Sequence, residues 1–342
     1  MRIFTSKQLS ITTSVILVSA LVVFTPNFAS AEDQGQGQGK DRAQARQEDG
    51  KLPQVRFGNP SKTINSDADQ QEYDRQDGGI AGVNVLGSRV FEIQVINSAT
   101  PRVTSPSPNL VKHSGNPMPV THIYSIYWGS SFLAGYQSDV DAFLGTIGNS
   151  ANNLNGVMTQ YMNGGIPNQT SFGTLAYGST FFDSSSNPPT SAPTTASILT
   201  EVYKVVTASG KAIDPAGLYM VFTNNYPKSV GYCAWHGAGS VSSSPTFTIA
   251  YQPFLGGTPG CSANSMANYS KSASVVIGLD AIANVASHEI YETITDPYLN
   301  AWYDSKGAEI ADKCSWYFGS TKVGTYSVQT EWSNSAKACV AK

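Results

Sequence analysis

The chain has 342 residues, a formal net charge of −3, 13% charged residues and four cysteines. That length allows a sizeable core, and the mild acidity without a basic stripe excludes a nucleic-acid partner. Beyond the N-terminal segment, no stretch is apolar enough to span a bilayer, so the mature chain is expected to be soluble.

Residues 1–31 read as a cleavable export signal. Arg2 and Lys7 supply a basic start, Ile11 to Phe24 an apolar stretch, and Ala29-Ser30-Ala31 a small-x-small cleavage signature. Their removal takes the net charge from −3 to −5. Residues 32–79 form a polar segment with 17 charged residues between Glu32 and Asp77 and a Gln-Gly repeat from Gln34 to Gly39. Its scarce apolar side chains cannot offset ordering entropy, so disorder is expected, as a tether or a pro-segment. Residues 80–109 combine a β-like run over 80–97 with a Pro/Ser-rich linker from Thr100 to Pro108.

The globular part is expected over 110–342. Thr121 to Trp128 predicts a central strand, Ser138 to Thr146 a short helix, and Asn153 to Met162 a second helix. Residues 163–195, rich in Ser, Asn, Gly and Pro, are expected to be loop. Ala196 to Ala208 predicts a helix, and Leu218 to Thr223 and Thr246 to Gln252 predict strands. Ala281 to Thr295 predicts a helix stopped by Asp296-Pro297. The alternation implies an α/β or α+β single core, a mixed sheet flanked by helices. Two sequons, at Asn168 and Asn268, matter only in a eukaryotic source.

Cys233, Cys261, Cys314 and Cys339 all lie in the last third. An even count in an exported chain favours disulfides, and no CxxC pair supports a zinc-thiolate site. Pairing Cys233 with Cys261 and Cys314 with Cys339 closes the shortest loops, and two such bridges would stabilise the C-terminal part.

The chemistry concentrates in His288-Glu289-Ile290-Tyr291-Glu292. Positions i and i+4 share a helical face, so His288 and Glu292 can hold one metal ion, zinc by donor type. Glu289 lies about 100° round the helix, placed to act as base for the attacking water. This is the logic of the HExxH zinc peptidases with Glu in place of the second His, a zincin-like active-site helix. A third ligand is needed, and His236, Asp312 and Asp296 are the candidates, with His236 or Asp312 favoured over Asp296. The acids from Asp304 to Asp312 surround a turn glycine and offer hard oxygen donors, so calcium is a rival reading there. Trp302 and Trp316 could stack on sugars or pack the core. His113 and His122 read as structural, and no GxSxG elbow is present for a serine hydrolase.

Residues from about His122 to Cys339 resemble the Exordium/phosphate-induced protein 1 family. The resemblance rests on Tyr127-Trp128-Gly129, the Cys233-Ala234-Trp235 box, Cys261, and the stretch from Asn284 to Asp296. Leu299 to Asp304 and Gly307 to Cys314 complete it. It implies an extracellular, cell-wall-associated protein, with no defined activity attached. The His-Glu-x-x-Glu string departs from the plant members and marks a microbial-type form.

Two functions follow. One is a secreted metal-dependent hydrolase, a zinc metallopeptidase acting on an extracellular protein or cell-wall substrate. The other is a non-catalytic extracellular module that binds cell wall or a partner.

Overall fold

The computed structural model describes residues 80–92, 108–148, 154–162, 174–255, 258, 260–261, 279–318 and 321–341. The export signal, the 32–79 segment, most of the Pro/Ser linker and both sequons lie outside the described residues.

The fold is mixed α/β. Its centre is a six-stranded sheet of β1 (Val83–Glu92), β3 (Val120–Trp128), β4 (Thr174–Asp183), β5 (Gly217–Thr223), β6 (Tyr232–Val241) and β7 (Phe247–Gln252). The spatial order is β1-β6-β7-β5-β3-β4. The block β4-β3-β5-β7 is parallel; β6 pairs antiparallel with β7, and β1 pairs antiparallel with β6 and so runs in the direction of the block. β5 is buried at every position, which suits a strand covered on both faces.

Four helices flank the sheet among the described residues: α1 (Tyr136–Ile147), α2 (Leu154–Met162), α3 (Thr195–Ala208) and α4 (Leu279–Thr295). α3 starts at Thr194, whose hydroxyl accepts from the Ser197 amide at 3.1 Å. It covers one face with Ile198, Leu199, Val202 and Val206 against Tyr219, Val221, Trp235 and Ile249. The other face carries α1, α2 and α4, through Phe143, Val157, Ile282 and Ile290 against Ile123, Met220 and Ala250. None of the described helices is long and apolar enough to cross a membrane.

Short ladders complete the chain: β2 (Val111–Lys112) with β8 (Trp302–Tyr303), β9 (Lys322–Val323) with β10 (Tyr326–Ser327), and β11 (Glu331–Ser333) with β12 (Ala338–Val340). Both expected disulfides are present, Cys233–Cys261 and Cys314–Cys339, with Cα separations of 5.5 and 5.7 Å. Cys314 closes the 3-10 turn Asp312–Cys314, so its bridge to β12 holds the backbone of Asp312 in place.

Two strands depart from the sequence reading. β4 lies inside the 163–195 stretch expected to be loop. Its side chains look like loop residues because they join a polar network: Thr180 donates to Asp141 Oδ2 at 2.9 Å, and Tyr177 bonds the Ser125 hydroxyl at 2.9 Å. β6 falls in a stretch to which the sequence reading assigns no element, and it carries Gly237 and Gly239. Both glycines answer to the neighbouring backbone. A Cβ at Gly237 would sit 2.5 Å from the Gly87 carbonyl oxygen, and one at Gly239 would collide with the Asn84 carbonyl. β1 realises the β-like run after residue 80, and it joins the main sheet along nearly the whole of β6.

Candidate metal centre

α4 is buried on every side, yet it is not apolar. Asn284, Ser287, His288, Glu289, Glu292 and Thr293 are all 2% exposed or less. Such a helix is stable only where its polar groups find partners or counter-charge. Its end is fixed by Asp296, whose Oδ1 accepts from the Ala301 amide at 2.5 Å before Pro297 prevents continuation.

The helical spacing brings His288 and Glu292 together as expected: Nε2 of His288 lies 3.0 Å from Glu292 Oε1. Asp312 arrives from the disulfide-held turn. Its Oδ1 is 3.6 Å from His288 Nε2, and its amide donates to Glu292 Oε1 at 3.0 Å. His236 arrives from β6 on the other side of Glu292, with Nε2 3.4 Å from Oε2. Glu292 therefore stands between the two histidines, one carboxylate oxygen toward each.

Two overlapping donor groups result. One donor atom from each of His288, Glu292 and Asp312 lies within 4.8 Å of the others, and the same is true of His236, Glu289 and Glu292. Asp312 completes the group around His288, whereas His236 groups with Glu289. Asp296 joins neither, since one oxygen caps the Ala301 amide and the other lies 3.9 Å from Arg89.

A wider shell surrounds these residues. Glu309 Oε2 is 3.1 Å from His236 Nε2 and 3.3 Å from Arg89 Nε. Arg89, from β1, also donates to the Gly307 carbonyl at 2.5 Å and lies over the Tyr303 ring. The Asp312 turn is pinned from below, where Gln329 donates to the Ala311 carbonyl at 2.8 Å and its own amide donates to Asn284 Oδ1 at 2.7 Å. Glu331 on β11 is fully buried, and neither carboxylate oxygen has a hydrogen-bond partner. Both oxygens of Glu289 are in the same condition.

Charge explains the protonation pattern. Six carboxylates (Glu289, Glu292, Asp296, Glu309, Asp312 and Glu331) face one guanidinium and two imidazoles. Burial alone would keep both imidazoles neutral, but Glu309 and Glu292 hold His236 protonated, and Glu292 and Asp312 do the same for His288. Burial likewise pushes Glu292 up, and the two histidines outweigh it, bringing its carboxyl down to about 2. Burial wins at the others: Glu309 is pushed up to about 8 against the pull of Arg89, and Glu289 and Glu331 are raised well above the carboxylate range.

The donor set suits zinc. Imidazole nitrogen and carboxylate oxygen are its usual ligands, at about 2.0–2.2 Å. Two such donors on a tetrahedral ion stand roughly 3.4 Å apart, and the observed nitrogen–oxygen gaps at His288 are 3.0 and 3.6 Å. Calcium takes six or more oxygens and disfavours imidazole. Among the acids of the calcium reading, Asp304 is engaged by Lys313 at 2.9 Å and by the amides of Lys306 and Ala308. Glu309 and Asp312 turn to the histidines instead.

The remaining histidines lie elsewhere. His113 stacks on Tyr303 at 3.6 Å, and His122 pairs with Asp214 at 2.7 Å. Trp302 is core, its indole donating to the Tyr161 carbonyl at 3.0 Å. Sequence reasoning missed Arg89, Glu309 as the partner of His236, and Glu331. Of these, only Glu331 carried a local signal, a lone charge beside Trp332 in a short strand-like run.

No family model matches the chain, and no solved structure matches it. Protein EXORDIUM-like 3 of Arabidopsis thaliana is 38% identical over 63 residues, 17% of this chain. The chain spans about a fifth of that relative's length (19%), so the similarity is local. It supports an Exordium-like relationship.

Proposed function

We propose that the protein is a secreted metal-dependent hydrolase, a zinc peptidase of the His-Glu-x-x-Glu type acting on extracellular protein or cell-wall material. The observation that carries this reading is the Glu289 carboxylate, buried without a hydrogen-bond partner, one residue from His288 and beside Glu292. A bound zinc ion would supply Lewis acidity toward a carbonyl. His288, Glu292 and Asp312 would hold it. Asp312, with 30% of its side chain exposed, supplies the solvent-facing side of the group. Glu289 would take the proton from the attacking water and return it to the leaving group. Asn284, Gln329 and the Cys314–Cys339 bridge fix the Asp312 turn against α4. Export accords with the two disulfides and the N-terminal signal pattern.

The test is elemental analysis of the purified mature chain, with casein hydrolysis as the activity assay. Wild type should carry zinc and His288→Ala should carry one ion fewer. Glu289→Gln should keep zinc while turnover falls by about 100-fold or more. Full activity in Glu289→Gln, or a wild type that takes up no metal, would end this reading.

The full burial of His236, His288 and Glu289 favours a second reading, in which the ion is structural and ties α4 to the C-terminal ladders within a binding module. There, chelation lowers stability and neither wild type nor Glu289→Gln cleaves casein.

A further inference from the structure

Glu292 presents one oxygen to each histidine, and the two donor groups it joins lie on opposite sides of its carboxylate. The hydrolase reading takes its metal ligands from the His288 side alone. On the other side, His236 Nε2 lies 3.4 Å from Glu292 Oε2, and a Glu289 oxygen falls within 4.8 Å of a donor atom of each residue. All three residues are 2% exposed or less, and both oxygens of Glu289 are without a hydrogen-bond partner. Glu309 Oε2, anchored by Arg89, borders the same point at 3.1 Å from His236 Nε2.

We propose that His236, Glu289 and Glu292 bind a second divalent cation, with Glu292 shared between the two ions. The proposal rests on the hydrolase reading and adds regulation to it. Glu289 as a ligand can no longer accept a proton from water, so filling the second site stops hydrolysis. His236, Glu289 and Glu292 are all 2% exposed or less, which suits a closed site, whereas a catalytic ion keeps one position open. Excess zinc therefore acts as an inhibitor.

The experiment titrates the chelator-stripped full chain with zinc and measures bound metal per chain. Wild type should take up two ions, and His236→Ala and Glu289→Gln one each. Glu289→Gln keeps the shape of the side chain, so it carries the test if His236→Ala fails to fold. The second equivalent should also lower the casein hydrolysis supported by the first by about 100-fold, the scale of a lost general base. Saturation of wild type at one ion overturns the second site and leaves the hydrolase reading intact. So does a Glu289→Gln variant that still binds two, or hydrolysis unchanged by the second equivalent. No bound zinc in any form removes both.

Discussion

On one face of the central sheet, α3 buries Ile198, Leu199, Val202 and Val206 against Tyr219, Val221, Trp235 and Ile249. On the other, α4 buries Asn284, His288, Glu289 and Glu292 in the same kind of space. Both helices bury an apolar face against the sheet, but only α4 buries a cluster of histidine and carboxylate side chains with it. Each large side chain under α3 contributes about 1.5–3 kcal/mol by leaving water. Each carboxylate under α4 costs free energy unless a cation or a donor meets it. The α3 face holds the fold unconditionally; under the proposed function, the α4 face holds it on condition of bound positive charge.

The largest expected effect tests the unconditional face. Leu199 packs on Gly239, whose missing Cβ lets its methyl approach β6 closely. Leu199→Ala should lower unfolding free energy by about 2–5 kcal/mol in denaturant titration. The loss should be equal with zinc and with chelator, because nothing under α3 binds metal. A loss that changes with zinc by more than about 0.5 kcal/mol would mean the faces are coupled.

A smaller effect, of opposite sign, tests the conditional face. Glu331 adds a buried carboxyl to a cluster already in acidic surplus, and neither oxygen has a hydrogen-bond partner. Glu331→Gln should raise the stability of the chelator-treated chain by about 1–2 kcal/mol. The gain should shrink when zinc is restored. A destabilised variant would show that Glu331 supports the turn at Asp312 rather than straining against it.

This contrast also decides what could be read from the sequence. β3, β5 and β7 were legible because their β-branched and aromatic runs are covered on both sides. α4 was legible from its period and its Asp296-Pro297 stop, and the cysteine pairs from their short loops. β4 and β6 were not, since Asp141 recruits the polar residues of one and the backbone of β1 dictates the glycines of the other. For the site, His288, Glu289 and Glu292 follow from helical geometry. The choice between His236 and Asp312 did not, because it depends on which side of Glu292 each strand or turn arrives. Arg89 was out of reach, since it meets Gly307 across 218 residues.

The smallest effect returns to the rim of the apolar face, where charge is compensated without metal. Asp183, at the end of β4, accepts from Lys204 at 2.7 Å, from Ser185 Oγ at 2.5 Å and from Ser186 Oγ at 2.8 Å. Burial would push its carboxyl up, but Lys204 and Ser185 outweigh it and hold it well below the usual range. A carboxyl lowered in the folded state binds fewer protons there than in the unfolded chain, where it titrates near 3.9. Its contribution is therefore present in full above about pH 4 and is lost as pH falls toward the folded value. Asp183→Asn should remove that slope, so the variant loses less stability than wild type on acidification from about pH 5 to pH 2. Lys204 is 47% exposed, which screens the pair, so the difference should be about 1 kcal/mol and should shrink in 1 M salt. Neighbouring Glu201 has the opposite sign: burial pushes it up to about 7, so its effect develops between about pH 4.5 and 7 and does not overlap the acid limb. Parallel curves for wild type and Asp183→Asn below about pH 4 would mean that Lys204 stays in water. The rim would then resemble the α4 face, with a buried carboxylate short of positive charge, and the contrast between the two faces would narrow to their apolar contacts alone.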